Sequence, residues 1–245
     1  RGRAPYRRIM RALLALSMLL LPLAAPPAAA QGTATPVDLE LVLAIDASYS
    51  IDNAEFRLQM EGIAAAFRDP EIQAAIGSGP LGAIAVSLVV WAEPTVPQDR
   101  GPWMLLRTSA DAEAFAQLVE RYPRRVSGGT GIGKGIATAA RHIVSNGFEG
   151  TRKVIDVSGD GTETPAREFV VRLPQARAMA DRLGITVNGL AILNEETRLD
   201  AWYRTHVITG FGAFVVRAAT LRHFADAMRR KLLREIEHQP NVARR

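Results

Sequence analysis

Cysteine does not occur among the 245 residues of this chain, and aromatic residues make up only 6% of them. Without cysteine, the chain forms no disulfide and no thiolate metal site. The four histidines have no paired spacing of the kind that zinc ligands show, and no G-x-S-x-G motif marks a serine nucleophile. Stability must therefore come from the hydrophobic core or from a bound ion.

Beyond the first 30 residues, the chain also has no excess of positive or negative charge. In total there are 30 Lys and Arg against 25 Asp and Glu, but five of the arginines lie in the first 30 residues, where there is no acid. The remainder balances at 25 against 25, so nucleic acid has no electrostatic support as a partner. Basic residues are concentrated near the C-terminus, where we interpret them as a solvated face: Arg229, Arg230, Lys231, Arg234, Arg244 and Arg245.

The first 30 residues have the pattern of a secretory signal peptide. Arginines precede an apolar run at 12–25, and small residues follow, ending in Ala28-Ala29-Ala30. The run is too short for a comfortable membrane span, and Met10 is an alternative start. We therefore predict a periplasmic or secreted protein without a membrane span after cleavage, divided into a signal peptide (1–30), a linker (31–36), one domain (37–238) and a basic tail (239–245).

Hydrophobic patterning in the domain alternates between strands and helices. Short apolar runs predict strands at 37–45, 82–91, 103–107, 153–158, 185–193 and 213–217. Helices are predicted at 52–67, 71–76, 108–121, from the glycine-rich segment 127–135 to 146, and at 165–183, 196–206 and 220–237. This alternation predicts an α/β fold: a doubly wound, mostly parallel six-stranded sheet with one antiparallel edge strand and helices on both faces.

Polar residues interrupt this pattern in three segments, each at the end of a strand or the beginning of a helix. The buried-strand run Leu39–Ile45 ends in Asp46, Ser48 and Ser50; Thr130 lies among glycines, and so does Asp160. In open α/β sheets, the loops after the carboxyl ends of the strands converge and bind ligands. Two carboxylates and three hydroxyls suit a hard cation. The sequence therefore predicts a site for Mg²⁺, with Mn²⁺ or Ca²⁺ as alternatives, held by these five residues.

Simpler interpretations exist for the same residues. Ser50 or Asp52 would serve as the N-cap of the helix after the first strand, with Glu55 completing a capping box, and Thr130 as the N-cap of a later helix. The segment 128–135 also approaches the phosphate-binding pattern G-x-x-x-x-G-K-[ST]. However, Gly135 stands where the hydroxyl residue is needed, and no strand precedes the segment, so nucleotide binding is disfavoured.

Taken together, the motifs resemble the metal-ion-dependent adhesion site (MIDAS) of von Willebrand factor type A (vWA) domains, and more narrowly a family of exported bacterial proteins of unknown function. They are Asp46-Ala47-Ser48-Tyr49-Ser50, Gly128-Gly129-Thr130-Gly131 and Ser158-Gly159-Asp160-Gly161. The resemblance covers residues 37–237. It implies that Ser48, Ser50 and Thr130 ligate the ion directly, and that Asp46 and Asp160 do so directly or through water.

Two functions remain open, and a purely structural domain with a vestigial ion is a third possibility. The resemblance implies a binding module without catalysis of its own, which engages the Asp or Glu carboxylate of a protein partner through the metal. The alternative is a metal-dependent hydrolase acting on phosphate esters, which needs a general base as well. One departure from the family pattern is Asp156, in a strand position that is usually apolar; we interpret it as surface-facing, with support of the metal site as the alternative.

Overall fold

The computed structural model describes residues 34–165, 169–194 and 196–237. Its strands are β1 (Thr35–Asp46), β2 (Ile84–Trp91), β3 (Asp99–Arg100), β4 (Met104–Leu106), β5 (Phe148–Gly159), β6 (Thr186–Ile192) and β7 (Val215–Ala218). Its helices are α1 (Asn53–Arg68), α2 (Pro70–Ser78), α3 (Ser109–Glu120), α4 (Ile132–Val144), α5 (Leu173–Arg182), α6 (Leu199–His206) and α7 (Phe224–Glu237), the last preceded by a 3₁₀ turn at Leu221–His223. The predicted signal peptide and basic tail lie outside the described residues.

All of the strands form one sheet, in the order β3-β2-β1-β5-β6-β7, with β4 also paired to β2. The pairs from β2 through β1, β5 and β6 to β7 are parallel, whereas β3 and β4 run antiparallel to β2. The predicted doubly wound, mostly parallel sheet is therefore confirmed. It has seven strands where we predicted six, because the two residues of β3, inside the proline-rich loop 94–102 between β2 and β4, add a second short antiparallel pairing at the edge.

Helices cover both faces of this sheet and create two cores. On one face, residues of α1, α2, α3 and α7 pack against alternate β1 residues such as Leu41, Leu43 and Ile45. On the other face, residues of α4, α5 and α6 pack against Val42 and Ala44. Because the central strands are buried on both faces, they read in sequence as almost continuous apolar runs. Among the described residues, no helix has the length and apolar character to cross a membrane.

Several boundaries differ from the prediction, and the two largest differences are at the starts of α5 and β5. Helix α5 begins at Leu173, with a proline at its start, and not at Pro165. Both Pro165 and Pro174 fit the first turn of a helix, so the sequence alone did not show which of them lies at the start of α5. Strand β5 begins at Phe148, five residues before the predicted start at 153, because it pairs with β1 from Thr35 onwards. That early half is too polar to be recognised as a strand.

The interpretation of Asp156 as surface-facing is wrong, and so is the inclusion of Lys231 in a solvated face. Both side chains are fully buried, and Lys231 Nζ lies 2.7 Å from Asp156 Oδ1 and 2.6 Å from Glu235 Oε1. Strand β5 is central, and its second half, residues 154–159, is buried throughout. A buried charge needs a partner, and α7 supplies one by turning Lys231 towards the sheet. Arg230 and Arg234 of the same helix are exposed, as predicted.

Candidate metal centre

Asp46 is the last residue of β1, at the carboxyl end of the sheet, and it is completely buried. Its Oδ1 accepts a hydrogen bond of 2.7 Å from the backbone N–H of Ser48, and its backbone carbonyl accepts one of 3.1 Å from Gln59 Nε2. Its Oδ2 has no hydrogen-bond donor among the described residues. A buried carboxylate oxygen without a donor is costly, so this atom is available to a cation.

The two serines connect this strand end to the loop after β5. Ser48 Oγ and Ser50 Oγ are 3.1 Å apart, and Ser50 Oγ donates a hydrogen bond of 2.6 Å to Asp160 Oδ1. Tyr49, between them, turns outward and is 82% exposed. Ser50 and Asp160, which are 110 positions apart in sequence, are thus in direct contact at the carboxyl edge of the sheet. We call this edge, with the loops that carry the five predicted ligands, the rim.

Thr130 joins the same rim through two backbone contacts to Thr164, in the loop after β5. Its N–H donates to Thr164 Oγ1 at 2.8 Å, and its carbonyl accepts from Thr164 N at 2.9 Å. A side-chain carbon built on Gly161 would lie 4.0 Å from Thr130 Oγ1, which places this hydroxyl beside the Asp160 loop. The structure therefore brings all five predicted residues together, and their role as metal ligands stays a prediction.

Helix capping does not account for the hydroxyls. The N-cap of α1 is Asp52, whose Oδ1 accepts from the N–H groups of Ala54 and Glu55 at 2.7 and 2.8 Å, while Glu55 reciprocates in a capping box. This confirms the predicted cap and leaves Ser50 free of that task. The N-cap of α4 is Gly131, without any side-chain cap bond, so the interpretation of Thr130 as a simple cap is wrong.

Sequence reasoning missed several residues that hold the loops in place. Arg124 donates to the carbonyls of Ala47 and Ser48 at 3.0 and 3.1 Å. Glu93 accepts from Gly129 N at 3.1 Å. These contacts join positions far apart in the chain, and an arginine or glutamate in a turn has no local pattern that reveals such a partner.

Glu163, three residues after Asp160, is a further supporting residue. Its Oε2 accepts a hydrogen bond of 2.8 Å from Gly133 N, at the start of α4. A second acidic side chain, that of Glu196, contacts the same loop: its Oε1 accepts a hydrogen bond of 3.3 Å from Thr162 Oγ1. The rim thus concentrates acidic side chains, and the one sequence signal for this was the acidic loop Asp160-Gly161-Thr162-Glu163.

Burial shifts the titration of these acids. It raises the pKa of Asp46 to about 7, an effect that the Asp160 charge reinforces and that hydrogen bonds from Ser48 oppose. Burial likewise raises the pKa of Glu163 to about 7. Both effects disfavour the ionised carboxylates, and a cation at the rim would act in the opposite direction by stabilising negative charge.

The donor set fits a hard cation. Neighbouring ligands of an octahedral Mg²⁺, each about 2.1 Å from the ion, are about 3 Å apart, and the measured oxygen separations of 3.1 and 2.6 Å are close to this. The described part of the chain contains no group of three or more His, Asp or Glu arranged to hold a metal. A metal at the rim would therefore depend on serine and threonine hydroxyls, which are hard oxygen ligands.

Solved structures with a similar architecture include a vWF domain, a pilus adhesin and a thread matrix protein. The vWF domain of the type V pili tip protein Mfa5 from Porphyromonas gingivalis is 13% identical, with 86% of this chain and 99% of that chain covered and a TM-score of 0.55. The pilus adhesin SpaC from Lactobacillus rhamnosus GG is 13% identical, with 82% and 31% covered and a TM-score of 0.55. Proximal thread matrix protein 1 from the mussel byssus, described with a zinc-occupied MIDAS motif, is 13% identical, with 83% and 48% covered and a TM-score of 0.53.

These likenesses show the vWA fold that the sequence motifs predicted. The chain spans about a third of the length of the pilus adhesin and about half that of the byssus protein. No curated protein matches the sequence. A family model described as "Protein of unknown function (DUF1194)" matches residues 36–240. Since this match covers most of the sequence, the chain belongs to the DUF1194 family, built on a vWA fold.

Proposed function

We propose that this chain is an exported binding module that holds one divalent cation, Mg²⁺ in our assignment, and binds a protein partner through it. The ligands are Asp46, Ser48, Ser50, Thr130 and Asp160. The observation that carries the proposal is the contact of Ser48, Ser50 and Asp160 at the rim, while α1 and α4 are capped by other residues. The zinc-occupied MIDAS motif of the byssus protein supports a divalent ion in this fold.

The composition of the ligand set indicates what the site does. Three of the five ligands are neutral hydroxyls, so where Asp46 or Asp160 binds through water, the ion would keep part of its positive charge and attract a further anionic oxygen. An Asp or Glu carboxylate of a partner supplies that oxygen. Within the chain, Ser48 N holds Asp46 in orientation and Arg124 fixes the serine loop, so the ligands need little rearrangement when the ion binds.

The surroundings of the serines offer room for a partner surface. A cleft of about 470 Å³ opens beside them, and its lining includes Tyr49, Ile51, Arg124 and Ser127. Tyr49 projects from the rim as a large exposed aromatic side chain, the kind of residue that is enriched in protein–protein interfaces. The pilus and thread proteins with this fold, together with the N-terminal pattern, support an exported protein that binds other proteins.

Calorimetry of Mg²⁺ and Mn²⁺ binding tests the metal site. We expect one site in the parent protein and loss of binding in Asp46→Ala, because this variant removes the buried carboxylate. Asp226→Ala is the matched control, since it removes an exposed carboxylate on α7, and it should bind as the parent does. Equal affinity in the parent and in Asp46→Ala would show that Asp46 does not form the metal site.

Capture of periplasmic proteins with and without chelator, compared between the parent and Asp46→Ala, then tests the metal-bridged partner.

The phosphate-ester hydrolase is the second candidate, and Glu163 is the observation in its favour. An acid with a pKa of about 7 near a metal is suited to act as a general base. However, Glu163 already accepts a hydrogen bond from α4, and Arg124, a cationic side chain near the serines, is bonded to backbone carbonyls. A metal-dependent activity on generic phosphate esters, lost in Asp160→Ala and in Glu163→Gln, would replace the binding module with this enzyme.

A further inference from the structure

Tyr203, on α6, has a polar group buried deep behind the rim. The side chain is fully buried among the apolar residues of the second core. Its hydroxyl has no hydrogen-bond partner among the described residues. A buried tyrosine hydroxyl usually finds a partner, and leaving it without one costs free energy. The position of this hydroxyl therefore needs an explanation.

Two glycines in neighbouring strands make room for the Tyr203 ring. A side-chain carbon on Gly189 in β6 would lie 2.8 Å from Tyr203 Cδ1, and one on Gly159 in β5 would lie 2.7 Å from the Tyr203 hydroxyl oxygen. Both distances are too short for any residue larger than glycine. The ring thus crosses from β6 to β5, and its hydroxyl points to the carboxyl end of the sheet, where the metal site lies.

Asp46 occupies the other side of the same small space. The carbon built on Gly159 would lie 2.8 Å from Asp46 Oδ2, the carboxylate oxygen without a donor. A buried O–H donor and a buried carboxylate oxygen, with no direct hydrogen bond between them in the described part of the chain, therefore lie around one point. One buried water would join them, accepting from the Tyr203 hydroxyl and donating to the Asp46 carboxylate, because such a water needs polar partners of this kind.

We propose that Tyr203 is a positioning residue for the cation site, whose hydroxyl holds the Asp46 carboxylate from the core side. The inference rests on the proposed function of Asp46 as a metal ligand. Residues that hydrogen-bond a metal ligand from behind fix its orientation, and their loss typically costs 10–100-fold in metal affinity. Asp46 would then be held from both sides, by Ser48 N at Oδ1 and, through water, by Tyr203 at Oδ2, whose second lone pair stays available to the cation.

The first test is Mg²⁺ affinity of Tyr203→Phe, measured by calorimetry. Phenylalanine keeps the ring between the two glycines, so the fold should persist, and we expect affinity to fall by about 10–100-fold. Tyr122→Phe, which removes a tyrosine hydroxyl in the turn after α3, should bind as the parent does. Affinity in Tyr203→Phe equal to that of the parent would overturn the inference alone, whereas no binding by the parent would overturn the metal site as well.

A second variant displaces the ring without touching any predicted ligand. Gly189→Ala places a methyl group against Tyr203 Cδ1, so it should move the hydroxyl and weaken Mg²⁺ binding. Gly147→Ala, where a side-chain carbon would meet nothing within 4 Å, is the matched control. Melting curves with chelator and with saturating Mg²⁺ separate folding from metal binding: the increase in Tm produced by Mg²⁺ should shrink in Gly189→Ala and in Tyr203→Phe. An undiminished increase in both variants would contradict the positioning role.

Discussion

Two regions of this molecule bury carboxylates, and they compensate the charge differently. Between β5 and α7, Asp156 and Glu235 are paired with Lys231 at 2.7 and 2.6 Å, and Asn188 Nδ2 donates to Glu235 at 2.8 Å. At the rim, Asp46 is equally buried, yet within the described ranges no lysine or arginine forms an ion pair with it. One region has its cation built into the chain, and we propose that the other obtains it from solution.

The comparison also separates stability from function. The buried cluster has its own cation, Lys231, in contact with both carboxylates, so its effect is on the stability of the fold. A rim that lacks such a lysine remains able to bind an ion and, through it, a partner. Removing the cation or the acids in each region in turn tests this difference.

The largest expected effect is that of Lys231→Met. This variant leaves two buried carboxylates without their cation, and loss of one partner of a buried ion pair typically costs about 3–5 kcal/mol. We expect a decrease of that size in the free energy of unfolding, measured with denaturant in the presence of chelator. Arg230→Met, at an exposed neighbouring position, should change it by less than about 0.5 kcal/mol. Unchanged stability in Lys231→Met would mean that the buried pair contributes nothing.

The rim should show the opposite behaviour, with stability that depends on added metal. At a free Mg²⁺ concentration of 100 times the dissociation constant, binding should add about 2.7 kcal/mol to the free energy of unfolding. Asp160→Ala should abolish this increment, whereas Arg230→Met should keep it in full. A parent protein with the same unfolding curve in chelator and in Mg²⁺ would contradict the proposed difference between the two regions.

Glu163 provides a pH test of the rim. Burial raises its pKa from 4.5 to about 7, so the folded state binds this proton more tightly than the unfolded state does. Stability in chelator should therefore fall as pH rises from about 4.5 to about 7, and the contribution of this one group is about 1–3 kcal/mol. Glu163→Gln keeps an acceptor for Gly133 N and should show a shallower fall. If the free energy of unfolding changed with pH in the same way in the parent and in Glu163→Gln, the titration of Glu163 would not contribute to the pH dependence.

The smallest expected effect distinguishes a cap from a ligand. Asp52→Ala removes the N-cap of α1 and should cost about 1 kcal/mol of stability, with little change in Mg²⁺ affinity. Ser50→Ala should do the reverse, since Ser50 touches Ser48 and Asp160 but caps no helix. If both variants lowered stability and left Mg²⁺ affinity intact, the serine would be a structural residue only.

Sequence reasoning succeeded where the information was local. The abrupt change from apolar residues to Asp46 indicates the end of a buried strand, and Asp52 followed by Glu55 indicates the start of a helix. The topology of a parallel sheet then predicts that the loops after its strands lie together, which is why Thr130 and Asp160 could be assigned to the same rim as Ser48.

Sequence reasoning failed where a partner was distant. Asp156 looked surface-facing because a charge in a strand is usually solvated, and its partner Lys231 is 75 positions further along the chain. Tyr203 also carried no signal, because the space for its ring is made by Gly159 and Gly189 in other elements. The start of α5 was missed for a different reason, since Pro165 and Pro174 are equally compatible with a first helical turn.

The central claim is that five side chains at the rim hold one divalent cation. Anomalous diffraction from crystals grown with Mn²⁺ tests it most directly, because the signal locates the ion without any assumption about its ligands. The account predicts one peak within coordination distance of Ser48 Oγ and Ser50 Oγ and next to Thr130, Asp46 and Asp160. A rim without a peak at saturating Mn²⁺, or a peak bound by other residues, would contradict it.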